Sequence, residues 1–220
     1  MTKQSKAKTS VPEAAPARDA TRGRILEQAS KHFFAHGFRG VSMDDLATEL
    51  GMSKKTLYTR FDTKQQLLEA IIDEQFRKVN EDCERILAAS GSDFSETLQD
   101  FLTCTQRNTA EIQPPFIKDV RQEAPEIFQR IERHRRGVIE RHFGELMRRG
   151  RAAGFIRKDI PAALIIEILL AALEAIVNPV RLEEFDLTTK SGCSLIARVV
   201  LEGAIAPNAR HRSTSRKETK

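Results

Sequence analysis

The chain has 220 residues, 40% of them hydrophobic and 30% charged, with no Trp, one Tyr and twelve Phe, a composition that suits a soluble globular protein with one core in one or two lobes. The first twenty residues are polar and lack the apolar run of a signal peptide, and Cys83, Cys104 and Cys193 show neither CxxC nor metal-ligand spacing; this argues against a secreted disulfide scaffold or a zinc module and fits a reducing cytoplasm, with the thiols as small core fillers. The net charge is +5, but residues 1–24 hold six cations against two acids and residues 207–220 five against one; taking these +8 from +5 leaves −3 for residues 25–206.

Residues 1–19 read as a disordered basic tail, because Lys, Ser, Ala and Pro recur without periodic hydrophobes. From about Ala20 the period is helical. Ile25, Leu26, Ala29, Phe33 and Phe34 share a face that ends at Gly37, a residue suited to a helix C-cap. Residues 64–89 form a long amphipathic helix opened by Thr63 and Gln66 in a capping-box arrangement and closed by Gly91. A helix follows near 93–110. Pro114-Pro115 breaks the chain, and a short segment 116–122 leads to Pro125.

Residues 126–150 read as one helix, with Ile127, Ile131, Val138, His142 and Leu146 on its inner stripe and arginines 130, 133, 135, 136, 141, 148 and 149 on its outer face. Gly150 and Gly154 end it, and Asp159 and Pro161 open the next. Residues 162–177 are apolar apart from Glu167 and Glu174, which is too short for a membrane span and too apolar for a surface helix. A last helix, about 190–205, carries Leu195, Ile196, Val199, Val200 and Ile205. Residues 207–220 read as a second disordered basic tail. The fold class is therefore all-α, with about nine helices and no repeat.

The stretch from Ser42 to Phe61 is the most informative. Ser42 and Asp45 make a capping box, Leu46 and Leu50 face inward, and the small Ala47 lets a second helix cross closely. Gly51 supplies the positive φ of a tight turn, Met52 plugs the corner, and Ser53 caps a second helix anchored by Leu57 and Phe61. The four-then-six spacing of Ala47, Gly51 and Leu57 is that of a helix-turn-helix. The outer face of the second helix holds Lys54, Lys55, Thr56, Tyr58, Thr59 and Arg60, which are donors and cations with almost no competing acid; such a helix suits the DNA major groove. Lys64 follows, within reach of a flanking phosphate.

These residues also resemble a known family. Phe33-Phe34-x-x-Gly37-Phe38, then Val41 to Ala47, then Gly51-Met52-Ser53-Lys54-Lys55-Thr56-Leu57-Tyr58-x-x-Phe61-x-x-Lys64-x-x-Leu67 look like the N-terminal domain of TetR-type regulators. The likeness covers about residues 20–70 and beyond about residue 75 extends only to the all-helical layout. It implies a homodimer with a three-helix DNA-binding domain over residues 20–66 and a helical effector-binding and dimerisation domain over residues 67–206. By position, Ser42, Ser53, Lys54, Tyr58 and Lys64 resemble the family's phosphate-contacting residues, and Lys55 and Thr56 its base-facing ones. Many relatives carry Gly where Lys55 stands, and an aromatic residue or His near Thr59 and Arg60, so no operator sequence transfers.

The partners expected are double-stranded DNA, a second copy of the chain and a small-molecule effector, with no membrane. The function expected is that of a ligand-responsive repressor on a palindromic operator; the rivals are an effector-independent activator or architectural DNA-binding protein, and a helical interaction module. Lys55 and Arg60 are candidates for guanine contacts, and Arg18, Arg22 and Arg24 either reach a neighbouring groove or are simply solvated. Glu167 and Glu174, seven residues apart, pair with arginines across a dimer or line a pocket. Candidate pocket residues are Phe94, Phe101, Phe116, Phe128, His142 and Phe143. No cofactor or metal site is expected, His134 and His142 having no acidic or cysteine cluster beside them, and no catalytic motif appears.

Overall fold

A computed structural model describes residues 15–89 and 94–204 of the chain. The expectations for Gly91, for the tails before residue 15 and after residue 204, and for the Arg18 side chain lie outside the described residues. Among those described there is no β-strand. The elements in order are α1 (Ala15–His36), α2 (Met43–Glu49), α3 (Lys54–Tyr58), α4 (Lys64–Ala89), α5 (Phe94–Thr109), α6 (Pro114–Glu123), α7 (Pro125–Val138), a π-helical turn (Ile139–Phe143), α8 (Gly144–Ala152), α9 (Ala162–Ile176), α10 (Pro179–Glu184) and α11 (Thr189–Ala204).

Three boundaries differ from the sequence expectation. Helix α1 begins at Ala15, inside the stretch read as a disordered tail. Pro114 and Pro115 start α6 rather than break the chain, because the first helical positions need no backbone N–H. Gly150 lies inside α8 rather than ending the long helix; a Cβ there would stand 2.5 Å from Phe94 Cε2 and 2.6 Å from Ile156 Cγ1. The missing side chain is what lets the α8 backbone approach Phe94, and Gly154, with φ +77°, makes the actual stop. The six-residue α10 was too short to register as a periodic pattern. It is capped by Asn178, whose side chain accepts from the Arg181 N–H at 3.1 Å.

One apolar cluster holds the N-terminal half together. Ile25, Phe33, Phe38, Leu46, Ala47, Leu57, Phe61, Leu67, Leu68 and Ile71 are all buried in it. The cluster is continuous across residue 66 and takes in Phe116, Val120, Ala124 and Ile127 of the α6–α7 region. Helix α6 thus packs directly on α1. Phe34 meets Phe116 edge-on at 4.9 Å, and the Gln113 N–H donates to the Phe34 carbonyl at 3.0 Å. A second cluster joins Cys83, Phe94, Phe101, Cys104, Leu146, Met147, Ile156 and Ile165. A third, Leu169, Leu173, Cys193 and Ile196, fixes α9 against α11.

Helix α9 is only partly covered. Leu164 is 50% exposed and Ile168 49%, one turn apart on α9, while α11 presents Leu195 and Val199, the latter 70% exposed, at the same spacing. None of the helices among the described residues is long and apolar enough to cross a membrane.

Candidate nucleic-acid interface and interior cavity

The helix-turn-helix is built by short-range bonds. The Ser42 side chain accepts from the Asp45 N–H at 3.1 Å, and the Asp45 carboxylate accepts from the Ser42 N–H at 3.2 Å, which is a closed capping box. That bonding holds the Asp45 carboxyl below the usual carboxylate range. Gly51 has φ +62°, and the turn is closed by Gly51 N–H to Thr48 O and Met52 N–H to Ala47 O, both 3.0 Å. Ser53 then caps α3, accepting from the Thr56 N–H at 3.1 Å. Leu57 and Phe61 are buried, so the opposite face of α3 must look outward.

On that face Lys54, Lys55, Thr56, Tyr58 and Thr59 are exposed and Arg60 is half-buried. The six are not equivalent. The Thr56 hydroxyl lies 2.8 Å from the Ser53 hydroxyl, and the Thr59 hydroxyl donates to the Lys55 carbonyl at 2.6 Å, so both already have partners. Nor is the face free of acid. Lys54 Nζ pairs with Asp44 Oδ2 at 2.5 Å, because the crossing of α2 and α3 brings their first turns together. The pairing raises the Lys54 pKa. Lys55 and Tyr58 project without such a tie among the described residues.

Lys64 is half-buried rather than extended into solvent. Its Nζ donates to the carbonyls of Phe38 at 2.7 Å and Val41 at 2.8 Å, and it lies 4.4 Å from the centre of the Phe38 ring. Burial lowers its pKa. Two of its three N–H groups therefore pin the α1–α2 loop, leaving one for an outside acceptor. Arg22 places its guanidinium 5.7 Å from the Phe61 ring centre, at the edge of the same unit. At the start of α4, Thr63 caps the Gln66 N–H at 3.1 Å, while the Gln66 side chain reaches back to the N–H of Asp62 rather than of Thr63.

Behind this unit, between α4, α5, α6, α7, α9 and α11, is an interior cavity of about 280 Å³. Four of the six aromatic candidates line it: Phe101, Phe116, Phe128 and Phe143. The other two stand elsewhere. Phe94 stacks on Phe155 at 5.3 Å under Gly150, and His142, buried in the π turn, has its Nε2 2.8 Å from Asn80 Oδ1. Burial pushes the His142 pKa down. All three cysteines reach the cavity, and burial of the Cys193 thiol lifts it to about 11.

Nothing in the sequence pattern singled out the cavity's polar residues, Gln75, Thr105, Asn108, Thr109, Glu132, Arg135 and Thr189. Arg135, read as one of the outer arginines, instead turns inward to pair with Glu132, an i, i+3 spacing that was the available signal. Glu167 and Glu174 do not line the cavity; Glu167 pairs with Arg136 of its own chain at 2.8 Å.

A capped pair of short helices crossing at a glycine turn, with a cationic outer face on the second, defines a helix-turn-helix DNA-binding domain. Residues 25–71 match the family model of bacterial regulatory proteins, tetR family. Residues 25–71 thus form a TetR-type DNA-binding domain. It is 38% identical over 55 residues to the HTH-type transcriptional activator FasR of Mycolicibacterium smegmatis, a match covering 25% of each chain. The likeness to solved structures extends over the whole fold. A TetR-family transcriptional regulator from Agrobacterium tumefaciens superposes with a TM-score of 0.66 at 15% identity, over 86% of this chain and 99% of that one. SmeT, the repressor of the Stenotrophomonas maltophilia multidrug efflux pump SmeDEF, gives 0.58 at 18% identity, over 86% and 92%. The fold is thus TetR-like, with the helix-turn-helix at one end and a helical C-terminal part.

Proposed function

We propose that the chain is a homodimeric transcription regulator that reads a palindromic operator with α3 and responds to a small molecule held in the interior cavity. The observation that carries this reading is the outward face of α3, where Lys55 and Tyr58 project from a helix fixed by two caps and a buried Leu57. Lys55 and Arg60 serve as base readers. Ser42, Ser53, Lys54, Tyr58 and the remaining N–H of Lys64 serve the phosphates, which position the protein but carry no sequence information. Thr56 and Thr59 complete the contacted face.

The dimer reading rests on the exposed apolar stripes of α9 and α11. Leu164, Ile168, Leu195 and Val199 are large apolar side chains left 41–70% exposed in the single chain, as expected of a surface that a second copy covers. A two-fold axis there sets two α3 helices on one face of the duplex, about 34–36 Å apart or somewhat more for half-sites one turn apart. Ile168→Glu combined with Val199→Glu is expected to give a monomer in sedimentation, with loss of operator binding. A dimer surviving both changes contradicts the assignment.

Helix α6 supplies the link to the cavity. Phe116 and Val120 belong both to the cavity wall and to the apolar cluster that holds α1–α3. A ligand that moves α6 therefore shifts α1 and the α1–α2 loop. Repression by occupying the operator is the simplest outcome; a readout by activation draws on the likeness to FasR, which is named an activator. Transcription from an operator-bearing template, with and without the protein, separates the two.

A further inference from the structure

The interior cavity has one polar corner whose hydrogen bonds are incomplete. Thr189, at the start of α11, is only 3% exposed, and its hydroxyl has no partner among the described residues. The Nε of Arg135 is likewise buried and unpartnered, although its Nη2 is held by the Glu132 carboxylate. Both residues line the cavity, and Ile139, one turn beyond Arg135, packs on the cluster that holds Cys193, one turn beyond Thr189, which places the two orphaned groups on neighbouring parts of the lining. A buried donor without an acceptor is costly and rare in native proteins.

The rest of the lining limits what can complete these bonds. Most of its other surface is apolar, with Phe101, Phe143, Leu169 and Leu173 in it. The donors of the other polar lining residues already have acceptors: Gln75 Nε2 donates to Asn108 Oδ1 at 3.3 Å, Asn108 Nδ2 to the Cys104 carbonyl at 2.9 Å, and the Thr105 and Thr109 hydroxyls to the carbonyls of Phe101 at 3.0 Å and Thr105 at 2.8 Å. Only one end of the cavity therefore asks for a polar atom. Glu132 and Arg135 cancel each other's charge there. An anionic head would lie against Glu132 and a cationic head against Arg135, each desolvated without a free counter-charge.

We infer that the cavity takes an uncharged, mainly apolar molecule whose carbonyl oxygen accepts hydrogen bonds from Arg135 Nε–H and the Thr189 hydroxyl. This rests on the ligand-responsive reading above and gives it a ligand chemistry. One carbonyl oxygen has two lone pairs, enough for both donors. The volume, near the lower end of the roughly 300–1,000 Å³ usual for ligand sites, suits a medium-length chain or a small ring system.

The test is calorimetric titration of the full chain with octanamide, octanoate and octylamine, which share one apolar body and differ in head charge. Octanamide is expected to bind at least about tenfold more tightly than either charged analogue, since a site built on specific hydrogen bonds discriminates strongly by head group. Thr189→Val is expected to weaken octanamide about tenfold, and Thr189→Ser to restore it. Tighter binding of octanoate or octylamine, equal binding to Thr189→Val, or no binding of any probe overturns the inference. The comparison among probes uses the native protein, so it stands even where a variant fails to fold. Operator affinity, followed by fluorescence anisotropy in the same titrations, separates the two levels: octanamide bound with operator affinity unchanged upholds the ligand chemistry and rejects ligand response.

Discussion

The backbone N–H of Arg39 donates to Asp119 Oδ2 at 2.8 Å, across 80 residues of chain. The contact ties the loop before α2 to α6, the helix that also walls the cavity. Gly37 makes the approach possible: its φ is +85°, and a Cβ there would fall 2.5 Å from the same Asp119 oxygen. Removing the acceptor with Asp119→Ala is expected to cost about 0.5–1.5 kcal/mol of stability. Asp119→Asn, which keeps a carbonyl oxygen, should lose less. Urea unfolding monitored by circular dichroism checks both, and a loss in Asp119→Asn equal to that in Asp119→Ala contradicts the role given to the bond.

Asp44 restrains Lys54 on the recognition face. Asp44→Asn releases that ammonium and removes one negative charge close to the phosphates. The variant is expected to bind any duplex more tightly than the parent protein, with a salt dependence steeper by about one phosphate contact. Anisotropy titrations across a series of salt concentrations measure the slope. An unchanged slope would mean that releasing Lys54 from Asp44 adds no phosphate contact in the complex.

Gly150 provides a packing test remote from DNA. A methyl group at this position meets Phe94 and Ile156 well inside contact distance. Gly150→Ala is expected to destabilise the fold by about 1–3 kcal/mol, outweighing the helix propensity gained from alanine. Thermal unfolding reads the change, and a more stable variant would show that Phe94 can move aside freely.

The fold and the recognition helix were legible because their signals are local. Caps act over three residues, anchors over four, and the turn glycine is a single position, so Ser42, Ser53, Gly51, Leu57 and Phe61 could be assigned from spacing alone. Lys64 shows where such legibility stops. Its partners Phe38 and Val41 are 26 and 23 residues away, and only the folded chain brings them together. The Asp44–Lys54 pair depends on the crossing of two helices, which spacing does not specify. Thr189 and Arg135 are polar side chains whose burial follows from the packing of several helices, which spacing along one helix does not specify. The aromatic candidates divided similarly: Phe101 and Phe94 both face inward, but Gly150 admits α8 against Phe94 and fills the space around it.

His142 gives the protein a pH signature. Burial lowers its pKa below the ordinary 6.5, so in the window between the two values the unfolded chain binds more protons than the native one. Stability therefore rises with pH through that window, and this contribution is lost as pH falls from the ordinary histidine value of about 6.5 down through the lower folded value. His142→Gln retains a donor for Asn80 Oδ1 without the titration. Between about pH 7.5 and about pH 5.5, the parent protein is expected to lose more stability than the variant. Parallel urea midpoints that fall equally in both would remove His142 from the account.

The central claim is that α3 reads DNA sequence, and selection from randomised duplexes with the purified full chain tests it most directly. The account predicts enrichment of a two-fold symmetric site bound by two protomers, and a Lys55→Ala variant that loses about 1–3 kcal/mol of discrimination at one base position per half-site while keeping most of its non-specific affinity. Failure to enrich any sequence, or a Lys55→Ala protein that selects the same site with undiminished preference, would contradict it.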